Sequence, residues 1–90
     1  MICDKFGKEF SYGNFVTYTV NGEMKLAKVK KIVLSRTNYL VCIISQYNYP
    51  HTVTLKKLQN VEIITELYAK VLFPEKYQVI KHSNTVDLYA

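Results

Sequence analysis

Seven basic side chains, Lys25, Lys28, Lys30, Lys31, Arg36, Lys56 and Lys57, stand between Met24 and Val61, and no Asp or Glu stands among them. The flanks are the reverse, with three acids against two lysines from Met1 to Glu23 and four acids against three lysines from Glu62 to Ala90. The net charge of +5 is therefore a central +7 between two ends of −1 each. A field of one sign favours an anionic partner. Tyr39, Tyr47, Tyr49 and His51 fall in the same window. Ammonium groups beside exposed rings suit nucleic acid, because the phosphates are neutralised along the backbone while bases stack on the aromatic faces.

Lys28, Lys30, Lys31, Arg36, Lys56 and Lys57 are thus the candidate phosphate contacts, and Tyr47 and Tyr49 the candidate stacking rings, since a loop has less use for large rings as core. Eleven lysines to one arginine argue against sequence-specific readout: lysine is a point charge, and the bidentate fork that reads guanine belongs to arginine. The same residues also admit a plainer role. Lysines on outward strand positions keep small β proteins soluble and blunt their edges, and strand tyrosines are common core and cross-strand partners.

Catalysis finds few of its parts. Gly7, Gly13 and Gly22 are isolated rather than gathered into a phosphate loop, and the carboxylates lie at the two ends of the chain. Cys42 sits inside the most apolar run, Tyr39 to Ile44, where a thiol behaves as a buried hydrophobe. Cys3 and Cys42 are expected as free thiols, and with only His51 and His82 as further soft ligands no zinc spacing is present. The expectation is a protein that is not an enzyme and holds no metal or cofactor. The apolar runs are far shorter than the ~20 residues a spanning helix needs, and the N-terminus has no secretory pattern, so no membrane partner and a cytoplasmic location are expected. Lys, Asn, Ile and Tyr make up 32 of the 90 residues, a bias of A/T-rich coding that fits a low-GC bacterium, its phages or its plasmids.

The elements that would carry these residues are mostly β. Phe15 to Val20 reads as a strand that leaves through Asn21-Gly22, a strong two-residue hairpin signal. Lys25 to Leu34 alternates, with Ala27 and Val29 inward and Lys28 and Lys30 outward, until the doubled lysine before Ile32 predicts a bulge or bend. Ser35 to Asn38 is a turn, and Tyr39 to Ser45, apolar on both faces, is a central strand. Tyr47-Asn48-Tyr49-Pro50-His51 is expected to be a loop, Thr52 to Lys56 a strand with Val53 and Leu55 inward, Lys57 to Asn60 a turn or one 3-10 turn, and Val61 to Ile64 a fifth strand. Beyond it, Glu66 to Leu72 reads either as a short helix capped by Thr65 or as a continued strand. Tyr77 to Lys81 and Val86 to Tyr89 look like a terminal hairpin. A chain of this length supports one core, so residues 1–90 form a single domain, with a barrel core over 13–64 and an extension over 65–90.

Gly13-Asn14-Phe15-Val16, Asn21-Gly22, Ala27-Lys28-Val29, Tyr39-Leu40-Val41 and Thr52 to Leu58 together resemble a small five-stranded SH3-like barrel of the Tudor type, over about Gly13 to Ile64. The resemblance implies binding of methylated side chains through an aromatic cage, of nucleic acid, or of peptides. By position Tyr18 and Tyr47 would be cage members. No acid accompanies Ser45-Gln46-Tyr47, and neighbouring lysines disfavour a cationic ligand. The leading expectation is a basic β-barrel that binds single- or double-stranded nucleic acid through the phosphate backbone. The alternative is a protein-binding module, such as a phage or mobile-element factor that docks on an acidic host protein, with the terminal hairpin available to pair two copies as a homodimer.

Overall fold

The computed structural model describes residues 2–83. Strands β1 (Phe15–Val20), β2 (Glu23–Val33), β3 (Tyr39–Gln46) and β4 (Tyr49–Leu55) are followed by a 3-10 turn (Leu58–Asn60), strand β5 (Glu62–Ile64) and helices α1 (Glu66–Leu72) and α2 (Pro74–Lys81). The strands form one antiparallel sheet in the order β4-β3-β2-β1-β5. The ladder is open, with β4 and β5 as its two edges. Among the described residues no helix is long and apolar enough to cross a membrane.

Local chemistry accounts for most of these elements. Asn21 and Gly22 both take positive φ, 52° and 79°, which gives the mirror-image turn that matches strand twist. The bulge falls where the doubled lysine predicts it. The β2–β3 register shifts between Val29 and Lys31, leaving Lys30 as the extra residue. In the next turn the Ser35 N–H donates to Asn38 Oδ1 at 3.2 Å and the Ser35 hydroxyl to the Thr37 carbonyl at 2.7 Å. Leu58–Asn60 is the 3-10 turn expected before the fifth strand.

The loop expected over Tyr47 to His51 is corrected. Tyr47 and Asn48 alone make the turn, both with positive φ (52° and 65°), and β4 begins at Tyr49. Pro50 pairs in register with Ser45, which is tolerated because β4 is an edge strand and the missing N–H can lie on its unpaired side. Tyr47 holds a left-handed conformation that non-glycine residues other than Asn and Asp seldom adopt. Tyr47→Asn is accordingly expected to raise stability by up to about 1 kcal/mol, seen as a higher thermal midpoint with an unchanged far-ultraviolet spectrum.

Both sheet faces carry a packed layer, the outer one over only part of its area. On the inner face Val16, Ala27, Val29, Leu40 and Cys42 pack with Ile2 and Phe10 from the N-terminal segment and with Leu58 and Val61 from the 3-10 turn and its exit. On the outer face Phe15, Leu26 and Ile43 pack with Ala69, Tyr77 and Ile80 of the two helices. The N-terminal segment is pinned by Asp4, whose carboxylate is buried and accepts from the backbone N–H groups of Phe6, Lys8 and Ile63.

Of the two readings of Glu66 to Leu72, the helix is the one formed: Thr65 caps it, its hydroxyl accepting from the Tyr68 N–H at 3.1 Å. The terminal hairpin is corrected, because Tyr77 to Lys81 belongs to α2. Pro74 stands at the helix start, Glu75 in the first turn and Lys81 in the last, all favourable there. Tyr77 and Ile80, three apart, turn one face into the core. This segment therefore offers no strand to a second copy. Val86 to Tyr89 lie outside the described residues.

Candidate anion-binding face

The acid-free window coincides with three adjacent strands. Because β2, β3 and β4 follow one another as a meander, residues from Met24 onward form one continuous stretch of sheet that carries no carboxylate of its own. Register decides which lysines share a face. Lys28, Ile43 and Thr52 lie in one cross-strand row, and Ile43 marks it as the outer, helix-covered face. The next outer row is Lys31, Val41 and Thr54, and beyond it Val33 lies opposite Tyr39. Lys56 shares the parity of Thr54, two residues on in the chain.

Not all the candidates gather there. Lys31 and Lys56 flank the outer rows, and exposed Arg36 sits in the turn beyond Val33 and Tyr39. Lys28 belongs to the part under the helices: its Nζ lies 5.8 Å from the centre of the Phe15 ring, and its charge acts on Glu66. Lys30, expected on the same face as Lys28, is the half-buried bulge residue. Lys57 is exposed just past β4. Lys25 is drawn to Glu23 at 3.6 Å, a surface pair of little energetic weight that nonetheless offsets its charge.

The tyrosines divide more sharply. Tyr47 and Tyr49 are 84% and 69% exposed, but they mark the start of β4 whereas Lys56 and Lys57 follow its end. Seven strand residues separate them by about 20 Å. The ring among the outer-face lysines is the half-buried Tyr39. The signal that would have singled it out was its place at the head of a strand whose odd positions, Tyr39, Val41 and Ile43, share one face. Tyr18, the other ring implied by the Tudor resemblance, packs against the inner core. Burial, with the neighbouring Cys42, raises its hydroxyl pKa.

Cys42 is buried as expected, and its surroundings push the thiol up to about 12, so at neutral pH it is a protonated packing group rather than a nucleophile. Glu66 accepts a hydrogen bond from the Tyr77 hydroxyl, which ties α1 to α2 and, foremost among its neighbours, holds the carboxyl below its ordinary value. No protein-family model, curated protein or solved structure matches the chain.

Proposed function

We propose that this chain is a small, non-catalytic SH3-like module of Tudor type that acts in the cytoplasm and binds nucleic acid through its phosphate backbone without strong sequence preference. Five strands, the two-residue turn after β1 and the 3-10 turn before β5 support the SH3-like reading, in a sheet that is open rather than closed into a barrel. The observation that carries the function is the register that lines Lys31, Val41 and Thr54 across three strands beside Val33 and Tyr39. Lys31, Lys56 and Arg36 then neutralise phosphates around a ring that can stack on a base.

The test is a salt titration of binding to an oligothymidylate and to a duplex of mixed sequence. Lys31→Glu and Lys56→Glu should each weaken binding about tenfold for all sequences alike, and each should flatten the salt dependence by about 0.7 in log–log slope for the single strand. Tyr49→Ala should change little. An absence of binding at low salt, or binding with no salt slope, rejects the reading.

A second reading, a module for a protein partner, is favoured by α1. It buries only Ala69 and leaves Leu67 and Val71 about as exposed as Tyr49, at 70% and 69%. Exposed apolar residues gathered on one element mark interaction surfaces. Recovery of a stoichiometric protein partner that survives nuclease treatment would put this reading ahead.

A further inference from the structure

Between β4 and the far end of β1 the structure holds a cleft of about 440 Å³, within the size range of ligand sites. Its walls are strand edges. Consecutive residues line it on both sides, Tyr18 to Val20 from β1 and Val53 to Lys57 from β4 and its exit, whereas a sheet face would contribute only alternate residues. Both edges lack partners among the described residues. β4 pairs only with β3, and β5 pairs β1 only over Phe15 to Thr17, stopping short of Tyr18. Strand edges of this kind are templates for an added strand.

The lining also selects the occupant. Tyr18, Val20, Val53 and Leu55 are apolar, Lys56 and Lys57 are the charged residues, and no carboxylate is present. A second copy's β4 is a poor fit, because it too has no acid and leads into the same two lysines, so like charges would meet. We propose that this cleft takes an extended acidic segment of a partner protein, laid as a strand along β4. Alternate side chains would rest on Val53 and Leu55, and carboxylates would meet Lys56 and Lys57. The proposal shares Lys56 with the nucleic-acid reading, whose face is centred on Lys31 and Tyr39, and the two are told apart by Lys31→Glu and by N-methylation of the peptide.

The experiment uses the full chain and a fluorescein-labelled octapeptide of alternating Glu and Val. Three controls accompany it: the Lys-Val counterpart, an Glu-Val peptide N-methylated at every second residue, and an oligothymidylate competitor. The acidic peptide should bind at least tenfold more tightly than the basic one, with amide shifts centred on Val20, Val53 and Val61. N-methylation, which removes the main-chain donors of one edge, should weaken it at least tenfold. The double variant Lys56→Glu, Lys57→Glu, altered only at exposed positions, should reverse the preference in favour of the basic peptide. Lys31→Glu should leave peptide affinity unchanged. Equal binding of the N-methylated peptide, no saturation up to about 1 mM, or occupation of the same amides by the oligothymidylate in preference to the peptide overturns the proposal.

Discussion

Asp4→Ala is expected to lower the unfolding free energy by about 3 kcal/mol and the thermal midpoint by more than about 10 °C, on the scaling for domains of this size. The Asp4 carboxylate accepts from Phe6 and Lys8 N–H at 2.9 Å each and from Ile63 N–H at 3.0 Å. Removing it leaves the N–H groups of Phe6, Lys8 and Ile63, all in part-buried hydrogen bonds, without their common acceptor. The main chain adds Lys5 N–H to the Val61 carbonyl at 2.9 Å, so the same short segment fixes the entry to β5 and holds Ile2 and Phe10 over the inner core. The pH dependence has a definite sign. Burial raises the Asp4 pKa, but the three backbone donors, helped by Lys8, outweigh it and leave it lowered. A carboxyl with a lower pKa folded than unfolded stabilises fully above the ordinary aspartate value of about 3.9, and loses that contribution as pH falls through its folded value. Melts from neutral to acid pH should therefore show a steeper acid limb for the native chain than for Asp4→Ala. Parallel limbs would mean that Asp4 contributes shape rather than charge.

Ile80→Ala is expected to cost about 3 kcal/mol, although it lies outside the β-sheet. Ile80 is fully buried with Tyr77 and Ala69 against Phe15, Leu26 and Ile43. Truncating it opens a cavity at the seam between α2 and the sheet. Tyr77 extends the same contact, its ring 5.4 Å from that of Phe15. If the helices were a detachable extension, the variant would lose helical signal early and leave the sheet transition in place. A single shared transition by far-ultraviolet and tyrosine signals is expected instead, because the outer face of the sheet has no other cover among the described residues. Leu67→Ala, at a position 70% exposed, should by contrast move the midpoint very little.

These two expectations rest on contacts of different legibility. The cap on α1 can be read locally, since Thr65, Glu66 and the stop before Pro74 are neighbours in the chain. α2 is harder to read: Tyr77, Val79 and Ile80 fit a strand as well as a helix over so few residues, and Pro74 at the helix start is the signal that discriminates. The turn at Tyr47 is hidden for another reason. A non-glycine residue at positive φ is chosen by the pairing of β3 with β4 rather than by its own preference. Asp4 could not be read at all, because its partner Ile63 lies 59 residues away and nothing in the local pattern connects them.

The candidate site divides in the same way. The sequence by itself determined the sign and the boundaries of the basic window, because charge is a property of residue type and a meander keeps neighbouring segments together. It also located, at the doubled lysine, the irregularity in β2 that the structure resolves as a bulge. Only the tertiary structure decided which charges act together. One extra residue at Lys30 changes the face on which every later β2 side chain lies, which brings Lys31 and Val33 onto the outer face beside Tyr39. Strand direction decided the rest, carrying Tyr47 and Tyr49 to the end of β4 away from Lys56 and Lys57 and opening between β4 and β1 a cleft that no local pattern encodes.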